Sequence, residues 1–212
     1  MVEVPEVGAF LLGAPKCGTT WLAEILTQHP EICVSDPKEP NIVASHKGTF
    51  GRDDSEPDWV EYADCFNGDG LRIDCSVHAM ACPVAPLRVA NNWPNARLII
   101  CLREPVSRTV SHWNMILDTK EDRENGADWS EFRSAWDDSH LSDYTLYGAA
   151  VSRWLEHFER DSILLIEANR MRHDASMVLE EVCNHLSISS HSFDLDSVHL
   201  SLIHISEPTR PY

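Results

Sequence analysis

Apolar runs separated by turn-forming residues set the rhythm of this chain. Val7, Ala9, Phe10, Leu11 and Leu12 form the first run, short and continuous enough for a strand buried on both faces. Trp21, Leu22, Ile25 and Leu26 then recur at helical spacing, and Gln28, His29 and Pro30 end that helix. Ile32-Cys33-Val34-Ser35 reads as a second strand. Residues 44–58 lose periodicity and collect Gly48, Gly51, Asp53, Asp54, Ser55 and Pro57, the composition of a loop on the substrate side. Trp59, Val60, Tyr62, Ala63 and Phe66 predict a short helix, closed by Asn67-Gly68-Asp69-Gly70.

Leu71 to Ser76 gives a third strand, and a helix spans about Pro83 to Asn92. Arg97-Leu98-Ile99-Ile100-Cys101-Leu102 is the clearest buried strand, and Glu104-Pro105 opens the next helix with Pro in its first turn. A polar, acidic stretch from Asp118 to Asp128 precedes an amphipathic helix around Trp129, Phe132 and Trp136. A longer helix follows from Asp143 to Phe158, then a fifth strand at Ile163-Leu164-Leu165-Ile166 and a last helix from Ala175 to Leu186. Repeated strand-then-helix units predict an α/β fold: a parallel sheet of about five strands with helices on both faces. Ligands in such sheets bind beyond the C-terminal strand ends.

The final residues stand apart. Leu200 to Arg210 reads, codon for codon, as a translation of DNA resembling the transposase-end adapter of sequencing libraries. The expectation is one domain over 1–199, incomplete at its C-terminus, with 200–212 an artefactual tail outside fold reasoning.

Length and charge narrow the functions. A chain of 212 residues can build a sizeable core. Its 17 Lys and Arg against 34 Asp and Glu leave a formal charge of −17, which repels nucleic acid and anionic membranes and disfavours a long polyanionic acceptor. Seven cysteines lack any C-x-x-C pair, so they read as reduced thiols rather than a disulfide framework or a zinc site. No basic segment followed by an apolar core precedes the first strand, and no apolar run reaches the ~18 residues that cross a bilayer. The cytoplasm is the expected address; oligomeric state stays open.

The chemistry begins at Gly13-Ala14-Pro15-Lys16-Cys17-Gly18-Thr19-Thr20-Trp21. Between a strand and a helix start, such a loop is an anion site: unpaired N–H groups point into it, Gly18 permits close approach, Thr19 and Thr20 offer hydroxyls, and Lys16 adds a charge. The nucleotide triphosphatase loop needs G-x-x-x-x-G-K-[ST], whereas here Lys16 precedes Gly18. P-K-x-G-T-T-W instead resembles the 5′-phosphosulfate loop of sulfotransferases that use 3′-phosphoadenosine 5′-phosphosulfate (PAPS). Leu102-Arg103-Glu104-Pro105-Val106-Ser107-Arg108-Thr109-Val110-Ser111-His112 resembles that family's 3′-phosphate motif, an Arg at a strand end with a Ser eight residues later.

The resemblance, over about residues 1–190, implies roles. Lys16, Cys17, Gly18, Thr19 and Thr20 hold the 5′-phosphosulfate, Lys16 also neutralising charge on the leaving oxygen. Arg103 and Ser111 hold the 3′-phosphate, as a planar fork and a hydroxyl suit phosphate oxygens. Trp21 lies against adenine or in the core; Cys17 stands where Ser or Gly is common. Lys38-Glu39-Pro40-Asn41 resembles the segment whose Glu takes the acceptor proton in bacterial and glycan-type members, so Glu39 is the expected base, with His46 and His112 as competitors. Asp74 and Ser76 either contact substrate or cap a strand end, and Trp154 and Phe158 fit a packed helix face. The implied reaction is sulfuryl transfer to a hydroxyl or amine of a carbohydrate or small molecule, without metal, leaving 3′,5′-adenosine bisphosphate. A small-molecule kinase using ATP and magnesium, and an inert nucleotide-binding fragment, are the alternatives.

Overall fold

A computed structural model describes residues 3–44, 46–47, 51–52, 56–118 and 129–198. Most of the acidic stretch after Asp118, part of the 44–58 loop and everything from His199 onward lie outside the described residues. In chain order the elements are β1 (Ala9–Gly13), α1 (Thr19–Leu26), β2 (Ile32–Val34), β3 (His46–Lys47), β4 (Gly51–Arg52), α2 (Trp59–Asp64) and β5 (Leu71–Asp74). There follow α3 (Ala85–Asn92), β6 (Arg97–Leu102), α4 (Pro105–Asp118), α5 (Phe132–Asp137) and α6 (Ser139–Ser142). The last are α7 (Tyr147–Leu155), β7 (Ile163–Glu167), α8 (Arg170–His173) and α9 (Ala175–Leu186).

The five apolar runs pair, all in parallel, in the order β2-β5-β1-β6-β7. Every residue of β1 is buried, as are Leu98 to Cys101 of β6, which is why these strands read as unbroken apolar runs. Burying a side chain such as Leu11 or Ile99 contributes about 1.5–3 kcal/mol. After β1 the chain crosses toward β2, and after β6 toward β7. Right-handed crossovers in opposite directions put α1 and the helices that follow β6 on opposite faces. They also open a crevice between the C-terminal ends of β1 and β6. Gly13, at that end of β1, has φ 135°, and a Cβ there would lie 2.7 Å from the carbonyl oxygen of Val77.

Three departures from the periodicity have local causes. The helix expected from Asp143 begins at Tyr147, because Thr145 and Leu146 donate their backbone N–H groups to Ser142 O in a turn. β3 and β4 form a two-residue antiparallel ladder inside the stretch read as loop, too short to leave an alternating pattern. Trp129 precedes α5 and is buried in a satellite cluster with Ile116, Ala135 and Leu141, against which Trp113 and Met115 pack.

The segment after α9 returns to the far end of α1. Gln28 Nε2 donates to Asp194 O (3.1 Å) and Ser197 Oγ (2.8 Å), and Gln28 Oε1 accepts from Asp194 N (2.7 Å). His29 Nε2 meets Ser189 O at 2.9 Å, and the Ser189 hydroxyl donates to Glu31. Among the described residues no helix is long and apolar enough to cross a membrane.

Candidate functional site

The loop after β1 is tied to its neighbour strand, Ala14 N donating to Cys101 O at 2.8 Å. Lys16 (φ 68°) and Gly18 (φ 84°) both adopt left-handed backbone, the first at a cost that marks functional loops. α1 starts at Thr19 with no side-chain cap, so its first-turn N–H groups face the crevice with their partial positive charge intact. Thr19 is buried and Thr20 exposed, so the two hydroxyls separate. Trp21, 5% exposed, belongs to the apolar core. Cys17 is buried, its Sγ 3.7 Å from Pro15 O and 3.8 Å from Tyr147 Oη, and burial pushes its thiol pKa up. The position therefore serves through its backbone.

Lys16 is half-buried and donates from Nζ to Met115 Sδ at 3.4 Å. Burial, and then the charge of Arg103, hold its pKa below the usual lysine range. Met115 lies one turn beyond Ser111 on α4, so Lys16 reaches the helix that carries Ser111. The Ser111 side chain is buried and its hydroxyl makes no hydrogen bond among the described residues. Glu104, whose carboxylate caps α4 by accepting from Val106 N (2.9 Å) and Ser107 N (2.7 Å), is committed there. Arg103 is half-buried, and its guanidinium has no carboxylate partner among the described residues. Tyr147 donates from its hydroxyl to Arg103 O at 3.0 Å. That one phenol thus pins the end of β6 to the loop.

On α4, one turn before His112, lies Arg108, fully buried. It donates from Nη2 to Leu141 O (2.9 Å) and Thr145 Oγ1 (2.7 Å), and from Nη1 to His112 Nδ1 (3.1 Å). A guanidinium only donates, so that His112 nitrogen is unprotonated and engaged. His112 is also packed against Trp129 and Tyr144, away from any role as a solvent-facing base. The Nε of Arg108 is buried without a partner.

The other wall is built after β2 and β5. Ser35 donates from Oγ to Lys38 O (2.8 Å), and Asn41 N donates to Ser76 Oγ (2.9 Å). Between them Lys38 Nζ and Glu39 Oε1 pair at 2.6 Å, with side chains 24% and 31% exposed. Asp74 is buried and accepts from Tyr62 Oη (2.7 Å) and Ser76 N (2.8 Å). Burial above all raises its pKa, and the charge of Glu39 adds to the effect. With both oxygens used inside the fold, Asp74 caps its strand end. His46 falls on β3, and its side chain lies outside the described residues.

The structure therefore gathers Lys16, Cys17, Arg103 and Ser111 on one wall and Glu39 on another, with no hydrogen bond between the two sets among the described residues. Reading the sequence missed Met115, Tyr62 and Tyr147. Tyr147 falls at a position of its helix that an apolar residue could also fill, and its polar tip is the available signal. His78, after β5, was also missed; its Nδ1 lies 2.8 Å from Tyr144 Oη. Trp154 is buried and donates to Met80 O (3.1 Å), and Phe158 packs on it, so both are structural.

The PAPS expected from the loop is a polyanion, and this donor set fits one: an uncapped helix start, two cations without carboxylate partners among the described residues, and an orphaned buried Nε. Comparison with known proteins points the same way. A solved sulfotransferase from Alicyclobacillus acidocaldarius superposes with a TM-score of 0.74 at 25% identity, over 91% of this chain and 85% of that one. Mouse sulfotransferase SULT7A1 complexed with PAP shares the fold, with a TM-score of 0.59 at 18% identity over 90% and 62%. Mouse heparan sulfate glucosamine 3-O-sulfotransferase 3A1 is 24% identical over 197 residues, 88% of this chain and 46% of the relative. Mouse bifunctional heparan sulfate N-deacetylase/N-sulfotransferase 4 is 27% identical over 201 residues, 85% and 22%. The chain thus spans less than half the length of these curated relatives. The family model described as the sulfotransferase domain matches residues 8–206, and the chain belongs to that family.

Proposed function

We propose that this protein transfers the sulfuryl group of PAPS to a hydroxyl or amine of a carbohydrate or small-molecule acceptor. The observation that carries the reading is the pair Lys16 and Arg103. The two cations follow the C-terminal ends of adjacent strands, beside an uncapped helix start, and neither has a carboxylate partner among the described residues; burial first, and then Arg103, holds the Lys16 pKa down. Such an arrangement is costly without an anion and favourable with one.

When bound, PAPS supplies the sulfuryl group and leaves as 3′,5′-adenosine bisphosphate. The chain's own part is positional and electrostatic. Lys16 and the N–H groups of Gly18 to Trp21 face the 5′ side, Lys16 stabilising negative charge that develops there. Arg103 and Ser111 face the 3′-phosphate. Glu39 takes the acceptor proton after parting from Lys38, within hydrogen-bond reach of the acceptor. The relatives named for heparan sulfate suggest a glycan acceptor, whereas a net charge of −17 disfavours a densely anionic polymer; an uncharged sugar or small alcohol reconciles the two. Seven buried, unpaired thiols favour a reducing compartment, the cytoplasm.

The test is labelled sulfuryl transfer from PAPS to an acceptor panel, with Lys16→Ala and Glu39→Gln alongside. Tight binding of the bisphosphate without magnesium is expected; magnesium-dependent ATP binding in its place would establish the kinase alternative.

A further inference from the structure

We propose that Arg108 is a third cation of the donor site, and that the bound anion is its counter-charge. The inference rests on the reading of that site as a polyanion site. Arg108 is fully buried, and an arginine does not discharge by losing its proton. Its bonds run to a carbonyl, a hydroxyl and a neutral imidazole, with no carboxylate partner among the described residues. A buried charge in that state is unfavourable unless an opposite charge comes near.

The place where one can come is the loop. Arg108 donates to Thr145 Oγ1 at 2.7 Å, Tyr147 N donates to Thr145 O at 3.0 Å, and Tyr147 Oη lies 3.8 Å from Cys17 Sγ in the loop. The orphaned Nε of Arg108 shows that the fold itself does not complete the guanidinium's bonding. Arg108 and Ser111 are three residues apart on one helix and both buried, so they share a face. The same side chain fixes geometry. Through Thr145 and Leu141 it anchors the turn that leads into Tyr147, whose hydroxyl holds Arg103 O. Arg108 therefore acts through its field and through its neighbours, as a positioning residue rather than a contact.

Charge and architecture separate when ligands of graded charge are compared. The full chain and the variants Arg108→Met and Arg108→Lys are titrated calorimetrically with 3′,5′-adenosine bisphosphate, adenosine 5′-phosphate and adenosine. For Arg108→Met the bisphosphate should weaken by about tenfold or more, the monophosphate by about threefold and neutral adenosine hardly at all. Arg108→Lys should recover most of the bisphosphate affinity. Equal losses for all three ligands, or none, would mean that Arg108 only braces the fold. If Arg108→Met fails to fold, Arg108→Lys decides. Retained bisphosphate affinity supports the proposal, and a loss matched by adenosine overturns it. Inorganic pyrophosphate is titrated in parallel. Wild-type protein that binds pyrophosphate but not the bisphosphate refutes the PAPS reading, and the pyrophosphate affinity of Arg108→Met then decides the present one. Binding of neither overturns both.

Discussion

The two walls of the crevice handle charge in opposite ways. On the wall of β1, β6 and α4, burial presses on Lys16, and the charge of Arg103 adds to it. On the wall of β2 and β5, Lys38 and Glu39 neutralise each other at 2.6 Å, and Asp74 is satisfied by Tyr62 and Ser76. The first wall concentrates positive charge in a chain that carries −17 overall, a local field that an anion relieves. On the second the partly exposed Lys38–Glu39 pair is already neutral, so an acceptor proposed to bind there is held by shape and hydrogen bonds, and Glu39, the proposed base, must part from Lys38 before it works. A group-transfer site needs both kinds of wall: one to grip a charged donor, the other to leave an uncharged acceptor reactive.

The contrast can be broken most forcefully at Glu39. Glu39→Gln should lower kcat for sulfuryl transfer by about 10²–10⁴-fold while bisphosphate affinity stays put; a normal rate would remove Glu39 as the base. Next comes Lys16→Ala, expected to raise the barrier by about 2.7–4 kcal/mol and to weaken the donor without moving the acceptor KM. A shift of acceptor KM alone would mean that the walls are wrongly divided. Tyr62→Phe leaves Asp74 Oδ2 without its phenol donor and should cost about 1–3 kcal/mol in urea unfolding, with donor binding unaffected.

The pH dependence is subtler. Lys16 titrates below the ordinary lysine value of about 10.4 because of burial and Arg103. Donor affinity should fall as pH rises through that lowered value, since the bound anion requires the ammonium. Between the folded and unfolded pKa values the folded chain binds fewer protons at Lys16, so ligand-free stability should rise with pH over the same window. Opposite slopes in the two measurements are the signature. In Arg103→Gln, the pH profile of Lys16 acylation by a small reagent should move upward. Smallest of all, Lys38→Met should change stability by only about 0–1 kcal/mol, for a pair this exposed.

The five strands were legible because burial on both faces leaves nothing but apolar residues in them, as in β6. The two motifs proposed to hold phosphate stand out in the sequence because their residue types suit such a ligand. Tyr147 was not, because a phenol can occupy an apolar position while its hydroxyl serves a carbonyl 44 residues away in sequence. The Lys16–Met115 contact joins residues 99 apart, and no local pattern records such a meeting. Asp74 looked like a possible substrate ligand at a strand end; only the partners of its two oxygens reveal a cap.

The fastening of α1 also orders the protein's birth. Gln28, His29 and Glu31 are held by Ser189, Asp194 and Ser197, between 158 and 169 residues downstream. A chain that leaves the ribosome N-terminus first makes the loop after β1 early and secures the helix behind it only once residues 189–197 have been made. Closing so distant a contact is slow, and until then the loop's scaffold lacks its far anchor. The loop's far anchor should therefore form only after the segment through Ser197 has emerged.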